Sequence, residues 1–273
     1  MSDGGIRRIT RMDADMITGF IGAAVRSSGC KGAVVGLSGG IDSATVTKLC
    51  ADALGPESVL NVFMPASPTP PGDLKLTEGL SRAWGTEYRT ADVSPAAEAF
   101  FSTLSVDSES RLEKGNIYAR CRMIVLYDIA KRTGRLVVGT SNKSELMMGY
   151  FTKFGDGASD LAPIAGLYKT QVRQLAEVIG VPKEIVERTP SAGLWEGQTD
   201  EEEMGITYDS LDCVLDGIEG GLSDGKISER AGVPLSKVSE VRSRVAVTEH
   251  KRTPAKFLRI STSNTVKGPR RPL

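Results

Sequence analysis

The stretch Val34–Val46, "VVGLSGGIDSATV", decides the fold, because it places a flexible turn between two apolar runs. Before the turn, Lys31–Leu37 ("KGAVVGL") is typical of a buried strand. After it, apolar residues between 46 and 53 recur at helical spacing, and Gly55 ends the predicted helix. The sequence therefore predicts a strand–turn–helix unit whose turn holds two adjacent glycines and two serines.

The alternation of strands and helices continues beyond this unit. The further predicted strands are 58–63, 87–93 and 135–140, and the further predicted helices are 73–84, 96–104 and 116–133. Asp73 is expected to cap the first of these helices. The order predicts an α/β fold, a doubly wound parallel sheet flanked by helices, with a mostly helical part after Thr140.

Two segments carry more specific expectations. Residues 195–205, "WEGQTDEEEMG", are acidic and poor in apolar side chains, which predicts a mobile surface loop. Between 123 and 130 the long helix is apolar nearly all round, which predicts burial on more than one side, in the core and at a subunit interface.

Composition excludes several classes of function. Thirty-four basic residues balance thirty-four acidic ones, so no net field favours nucleic acid or an anionic membrane. The basic end of the chain, 250–273, is interpreted as a solvated terminus. No apolar stretch approaches the ~20 residues of a membrane span, and the N-terminus lacks a signal-peptide core, so a cytoplasmic protein is expected. Four scattered cysteines favour neither a zinc site nor disulfides, and Cys50 and Cys121 are expected in the core.

The glycine turn has the properties of a phosphate site. Such a turn lies at the carboxyl edge of a parallel sheet, where ligands bind. Glycines let a ligand approach the backbone, and a helix N-terminus offers unpaired N–H groups with about half a positive charge. The lysine of a Walker A loop and the G-x-G-x-x-G pattern are both missing. A plain capped turn is the alternative, but a cap requires neither two adjacent glycines nor both serines.

The string Ser38–Ser43, "SGGIDS", resembles the pyrophosphate loop of the N-type ATP pyrophosphatases, which split ATP into AMP and pyrophosphate. Stretches further along the chain resemble the NAD synthetase family within that group: 116–123, 137–176, 187–212 and "HKR" at 250–252. The resemblance implies an adenine nucleotide α-hydrolase-like, Rossmann-like fold. It also implies amidation of deamido-NAD (nicotinic acid adenine dinucleotide) to NAD, with ATP as co-substrate and Mg²⁺ as cofactor.

The resemblance implies a role for each matching residue. Those implied to bind ATP are Gly36, Leu37, Ser38, Gly39, Gly40, Ile41, Asp42, Ser43, Thr140, Lys169 and Ser191. Those implied to bind deamido-NAD are Arg120, Lys153, Asp160, His250 and Lys251. Asp42 and Glu145 are the implied Mg²⁺ ligands. Ser191 stands where the family has threonine, and serine keeps the hydroxyl, so its contact with ATP is expected to survive.

Most of these residues also have a simpler interpretation. Lys153 and Asp160 flank "GDGASD", which alone would indicate a surface turn. Glu145 lies at a helix start, where acids are common because of the dipole. Arg120 could pair with an acid on its own helix. His250 invites interpretation as a catalytic base, but the resemblance implies a binding role.

The resemblance implies two chemical steps. The nicotinate carboxylate attacks the α-phosphorus of ATP to give an NAD-adenylate and pyrophosphate, and ammonia then displaces AMP. Asp156 is the candidate acceptor of the proton from nitrogen. The segments "SPTPPGD" and "WEGQTDEEEMG" are expected to close over the adenylate and exclude water.

The chain is expected to form one synthetase domain, 1–273, without a glutaminase domain, so free ammonia is the expected nitrogen donor. The expected partners are small-molecule substrates, with no nucleic acid and no membrane, and the family resemblance implies a homodimer. Two rivals stay open at this point: another amidating or tRNA-thiolating pyrophosphatase, and a non-catalytic ATP-binding module.

Overall fold

The computed structural model describes residues 5–258, apart from 68, 108, 192, 194–196 and 257. Four strands form one parallel sheet in the order β3-β2-β1-β4. They are β1 (Ala33–Gly36), β2 (Val59–Phe63), β3 (Glu87–Thr90) and β4 (Leu136–Val138). The parallel α/β sheet predicted from the alternation is therefore confirmed.

Helices follow and separate the strands. They are α1 (Arg11–Ser28), α2 (Ile41–Leu54), α3 (Gly72–Trp84), α4 (Ser94–Leu104), α5 (Arg111–Thr133), α6 (Lys143–Met148), α7 (Lys169–Val178), α8 (Lys183–Val186), α9 (Asp200–Met204), α10 (Tyr208–Glu219), α11 (Asp224–Ala231), α12 (Leu235–Val247) and α13 (Glu249–Arg252). No helix in this part of the chain is both long and apolar enough to cross a bilayer.

The sheet separates two apolar cores because successive strand residues point to opposite faces. Val35 of β1 packs with residues of α1, α2 and α7 on one face. Its neighbour Val34 packs with α4 and α5 on the other. Both valines are fully buried. A third core joins α6 to α9–α12, centred on Tyr208 and Leu211. The sheet is thus doubly wound, and the part after β4 is helical, as predicted.

The predicted unit around the glycine turn is present. β1 ends at Gly36, α2 begins at Ile41, and Gly55 caps α2 with its N–H bonded to Ala51 O. The sequence also signals α1, to which the prediction assigned no element: Thr10 and Asp13 form a capping box, and Gly29 ends the helix in a left-handed conformation.

Several predicted details are wrong. Asp73 does not cap α3, because that helix begins at Gly72 and the Asp73 carboxylate pairs with Arg188 instead. Helix α5 begins at Arg111, five residues before its predicted start at Asn116.

The apolar stretch of α5 is not buried on more than one side within this chain. Ile124 is 53% exposed, while Cys121 and Ala130 face the core beneath it. The four cysteines, all among the described residues, are free, and Cys50 and Cys121 are buried as expected.

The segment 195–205 is not a surface loop over the residues that the structure describes. Residues 200–204 form α9, and the Thr199 side chain accepts a hydrogen bond from Glu202 N. Asp200 and Met204 are buried. The predicted closure of this segment over a substrate falls partly on residues 195 and 196, which lie outside the described residues.

Candidate active site

The glycine turn joins β1 to α2 through a compact hydrogen-bonded loop. Ser43 Oγ accepts from Ser38 N at 3.2 Å, lies 3.1 Å from Ser38 Oγ, and donates to Gly40 O at 3.0 Å. Gly40 N–H points to Ser38 Oγ at 3.3 Å. The two serines therefore hold the turn in shape, and the N–H groups at the start of α2 remain available to an anion.

Gly39 is required by conformation and by space. Its φ of 84° lies in the left-handed region that side chains rarely adopt. A β-carbon there would lie 3.0 Å from Arg188 Nη1 and 3.2 Å from Leu76 Cδ2. The turn is therefore closed on one side by residues far away in sequence.

Asp42, in the first turn of α2, meets residues from two other helices. Its Oδ1 accepts from Asn142 Nδ2 at 3.1 Å, and its Oδ2 accepts from Lys169 Nζ. Asn142 caps α6, and Lys169 is the first residue of α7. The N-termini of α2, α6 and α7 thus lie close together at the carboxyl edge of the sheet.

Glu145 completes this cluster from α6. Asn142 and Glu145 form a capping box, in which Glu145 N donates to Asn142 Oδ1 at 3.0 Å and Asn142 N donates to Glu145 Oε2 at 3.2 Å. The other carboxylate oxygen of Glu145 lies 3.5 Å from Lys169 Nζ. Lys169, only 2% exposed, therefore bridges the two carboxylates that the sequence pairs as metal ligands.

The electrostatics of the cluster follow from burial and from charges of both signs. Burial opposes the charged form of Lys169, but Asp42 and Glu145 outweigh it and raise the pKa of Lys169. Burial and the neighbouring charge of Asp42 raise the pKa of Glu145, and Lys169 opposes that shift. Lys169 is therefore a firmly protonated cation inside a negative pocket.

A third carboxylate lies close by. Burial raises the pKa of Asp200, and the charge of Asp42 adds to that effect against Lys169. Tyr208, fully buried, donates from its hydroxyl to Asp200 Oδ2 at 3.0 Å, and its ring centroid lies 5.2 Å from Lys169 Nζ. Asp200 Oδ1 is buried, and none of the described residues forms a hydrogen bond with it.

The backbone beneath Lys169 is fixed by Asp212 of α10. Asp212 is fully buried and accepts from Ser144 Oγ at 2.5 Å and from Thr170 N at 2.8 Å. Ser144 Oγ in turn accepts from Lys169 N at 2.9 Å. One carboxylate thus ties the start of α7 to α6, the two helices that carry Lys169 and Glu145.

The donor set fits Mg²⁺, which needs few protein ligands. Asp42 and Glu145 offer hard carboxylate oxygens, and Mg²⁺ is commonly held by one or two carboxylates together with water and substrate phosphate. No group of three or more acidic, histidine or cysteine side chains is close enough to hold a metal in the part of the chain that the structure describes. The residues therefore fit a metal that arrives with a phosphate ligand.

A second, basic cluster gathers residues implied to bind deamido-NAD. Arg120 Nη2 approaches Lys153 O at 3.5 Å, and Lys153 Nζ donates to His250 O at 2.6 Å. Lys251 Nζ donates to Gly149 O at 2.5 Å. Burial lowers the pKa of Lys251, and the charge of Arg120 adds to that effect. Arg120, Lys153, His250 and Lys251 are therefore brought together, with the His250 side chain exposed.

Asp156, the candidate proton acceptor, borders the basic cluster. Its Oδ1 accepts from Thr152 N at 2.9 Å. Its negative charge opposes the lowering of the pKa of Lys251. The Asp156 carboxylate therefore lies close enough to Lys251 for their charges to interact.

The other predicted residues are less directly connected. Asp160 Oδ2 accepts from Val137 N of β4 at 2.9 Å, so this carboxylate is used by the sheet edge. Thr140 follows β4 and is half-buried. Ser191 is exposed, and its Oγ accepts from Gly193 N at 3.1 Å.

The prediction missed four residues that shape the site: Asn142, Arg188, Asp200 and Asp212. A local signal existed for Asn142, because Asn142 and Glu145 have the N-x-x-E spacing of a capping box. The others act through long-range contacts that no local pattern carries.

Known proteins resemble this chain over most of its length. The model of the NAD synthase family matches residues 14–255. The NH(3)-dependent NAD(+) synthetase of Methanococcoides burtonii is 44% identical over 88% of this chain and 91% of its own length. That of Thermococcus kodakarensis is also 44% identical, over 89% and 94%.

Solved structures give the same picture. The NMN synthetase from Francisella tularensis superposes with a TM-score of 0.81 at 34% identity, covering 92% of this chain and 98% of that chain. The NH3-dependent NAD synthetase from Campylobacter jejuni, in complex with nitrate ion, superposes with a TM-score of 0.76 at 29% identity, covering 91% and 98%.

Proposed function

The chain belongs to the NAD synthase family, and from this premise we propose that it amidates deamido-NAD to NAD with ATP and ammonia. The enzyme is a ligase that adenylates the nicotinate carboxylate, releases pyrophosphate, and lets ammonia displace AMP from the NAD-adenylate. The observation that carries this proposal is the pair of contacts that Lys169 makes. It contacts Asp42, on the helix that follows the glycine turn, and Glu145 of α6.

In the first step an anionic carboxylate must attack a polyanionic phosphate, so charge neutralisation is the main task. Gly36–Ser43 hold the phosphates through backbone N–H groups and hydroxyls at the positive end of α2. Lys169 adds a cation that is already fixed in place. Thr140 and Ser191 contribute hydroxyls to the nucleotide.

Asp42 and Glu145 are the proposed ligands of Mg²⁺. When bound, this ion supplies positive charge to the phosphates and eases the departure of pyrophosphate. Each carboxylate also contacts Lys169, so the lysine shields the pair from mutual repulsion whenever no other cation does so.

For the second substrate we propose the basic cluster of Arg120, Lys153 and Lys251, with His250 and Asp160 at its edge. Its cations suit the pyrophosphate and carboxylate of deamido-NAD. When ammonia attacks the activated carbonyl carbon, the bond to AMP breaks and nitrogen sheds a proton. Asp156 takes up that proton, and its position beside Lys251 supports the assignment.

Ammonia as the nitrogen source is supported by the names of the relatives and by their lengths. The glutamine-dependent NAD+ synthetase from Acinetobacter baumannii superposes with a TM-score of 0.66 at 25% identity over 96% of this chain but 49% of its own. The similarity therefore covers about half of that enzyme. We propose that residues 1–273 form one synthetase domain without glutaminase activity.

We also propose a homodimer formed through α4 and α5. These helices expose large apolar side chains that an interface would cover: Phe100, Leu104, Leu112 and Ile124. The cytoplasm is the proposed compartment, since free cysteines are usual where the environment is reducing.

The test is to measure pyrophosphate and NAD formation from ATP, Mg²⁺ and deamido-NAD, with ammonium or glutamine supplied in turn. We expect NAD with ammonium and none with glutamine, and loss of both products when EDTA replaces Mg²⁺. Nicotinic acid mononucleotide serves as a competing acceptor, because one structural neighbour is an NMN synthetase. A preference for the mononucleotide would change the proposed acceptor but would leave the proposed adenylation and amidation steps unchanged.

The same assay separates the rivals. Pyrophosphate without amide would favour another adenylating enzyme of the pyrophosphate-loop group, and a tRNA acceptor would then be tried. Absence of pyrophosphate from folded, ATP-binding protein would favour a non-catalytic module. The paired carboxylates argue against that outcome, because a module that only binds ATP has no need of two metal ligands at the phosphates.

A further inference from the structure

Arg188 contacts the glycine turn and is not among the residues implied to bind ATP or deamido-NAD. Its Nη1 donates to Gly39 O at 3.2 Å, and its Nη2 donates to Asp73 Oδ1 at 2.7 Å. Gly39 and Arg188 are separated by 149 positions in the sequence. The guanidinium therefore joins two different segments, the turn itself and the start of α3.

The contact with Gly39 O determines the direction in which the N–H of Gly40 points. In a trans peptide the C=O and the following N–H point in opposite directions. Because Arg188 holds the Gly39 carbonyl on its own side, the N–H of Gly40 faces the other side, where Ser38 Oγ lies. Helix α2, whose first N–H groups suit a phosphate, begins at the next residue, Ile41.

Glycine at 39 makes this restraint necessary. A glycine peptide rotates more freely than any other, and at a φ of 84° no side chain restricts it. A β-carbon at 39 would lie only 3.0 Å from Arg188 Nη1, so the guanidinium packs tightly against the position where a side chain would begin. Arg188 thus replaces the missing side chain as the group that fixes the turn.

Arginine is the side chain suited to this task. Its planar fork satisfies a carbonyl and a carboxylate together, whereas a lysine ammonium acts as a point charge. Asp73 is 9% exposed and lies in the first turn of α3, so it is a firm anchor for the fork. The same pairing explains why Asp73 does not serve as a cap.

We infer that Arg188 is a positioning residue for the pyrophosphate loop: it fixes the Gly39–Gly40 peptide so that the loop presents donors to the leaving pyrophosphate of ATP, with Asp73 as its anchor. The inference rests on the proposed function for the identity of the ligand. It assigns to Arg188 an effect on ATP and on pyrophosphate, and none on deamido-NAD.

The experiment compares R188Q, R188K and D73N with the wild type. The kinetic readouts are the KM values of both substrates and inhibition by added pyrophosphate. For R188Q we expect the KM for ATP and the pyrophosphate inhibition constant to rise together by about tenfold, with the KM for deamido-NAD within about twofold of the wild type. R188K keeps the positive charge without the fork, and D73N keeps the fork with an uncharged anchor, so each is expected to show rises of about threefold.

R82Q is the matched control, because Arg82 of α3 is an exposed arginine that pairs with Glu78 at 3.1 Å. It should leave all three kinetic constants unchanged. A loss of thermal stability in R188Q with unchanged KM for ATP would overturn the inference, and so would equal rises for both substrates. If R188Q fails to fold, the same criteria apply to R188K and D73N.

Failure of the proposed function is distinguished by the wild type, which would then release no pyrophosphate. In that case calorimetric titration with inorganic pyrophosphate still tests Arg188. Weaker binding by R188Q than by R82Q would support the inference, and equal binding would overturn it.

Discussion

Replacing Asp212 by asparagine tests whether this carboxylate keeps α6 and α7 in position around the site. Asp212 contacts no predicted substrate group, but it accepts from Ser144 Oγ at 2.5 Å and from Thr170 N at 2.8 Å. Asparagine has nearly the same shape and keeps one acceptor oxygen. If that oxygen accepts from Thr170 N, the amide nitrogen faces Ser144 Oγ and can only donate to it, so the hydrogen bond that Ser144 donates to a charged acceptor is lost.

The magnitude follows from the kinds of contact removed. Losing a hydrogen bond to a charged acceptor costs about 1.5–3 kcal/mol. Losing the negative charge at the start of α7 costs a further ~0.3–1 kcal/mol. The total of roughly 2–4 kcal/mol corresponds to a Tm lowered by roughly 4–8 °C for a chain of this size. Because Lys169 N donates to Ser144 Oγ, we also expect kcat/KM for ATP to fall by roughly tenfold as Lys169 loses its position.

The assay combines thermal unfolding with steady-state kinetics of NAD formation. D209N is the control, since Asp209 is an exposed acid in the first turn of the same helix, α10. Its Tm should change by less than about 2 °C, because a surface acid at a helix start contributes ~0.3–1 kcal/mol. If D212N matches D209N in both Tm and kcat/KM, Asp212 does not hold the two helices and the reasoning is refuted.

Three further outcomes are expected. Gly39→Ala places a β-carbon 3.0 Å from Arg188 Nη1 at a φ of 84°; it should lose about 1–2 kcal/mol of stability and bind ATP more weakly, as calorimetry would measure, and unchanged binding would contradict the role of the turn. Asp42→Asn should lower the rate of NAD formation by about a hundredfold or more while the protein stays folded by circular dichroism; a rate near that of the wild type would remove Asp42 from the site. Tyr208→Phe removes the hydroxyl that donates to Asp200 Oδ2 and should lower the free energy of unfolding in urea by about 1–3 kcal/mol. An unchanged unfolding midpoint would show that this bond contributes nothing.

The sequence could predict the elements whose structure is determined by residues close together in the chain. The turn at Gly39 and Gly40 follows from composition, and α2 follows from apolar spacing and from Gly55 at its end. Thr199 and Glu202 also carried a local capping signal for α9. That signal was outweighed by the acidic composition around it, although Asp200 and Met204 turn out to be buried.

The errors concern contacts between residues far apart. Asp73 has the residue type and position of a helix cap, yet Arg188, 115 positions later, takes its carboxylate. Lys169 and Asp42 are 127 positions apart. A local pattern does not show which distant charged residue will lie beside a given side chain. The family resemblance therefore named Lys169 and Asp42 but did not show that they are in contact.

The charges at the centre of the site explain why its carboxylates and its lysine occur together. Asp42, Glu145 and Asp200 all act on the one ammonium of Lys169, so three negative charges against one positive leave an excess of two when all are ionised. A phosphate chain entering such a pocket alone would be repelled strongly, because little water remains to screen the charges. Without a ligand the excess is relieved by the raised pKa values of Glu145 and Asp200, which favour their protonated, neutral forms. A substrate that brings its own divalent cation would remove the repulsion, so we expect this pocket to favour ATP with Mg²⁺ over ATP alone.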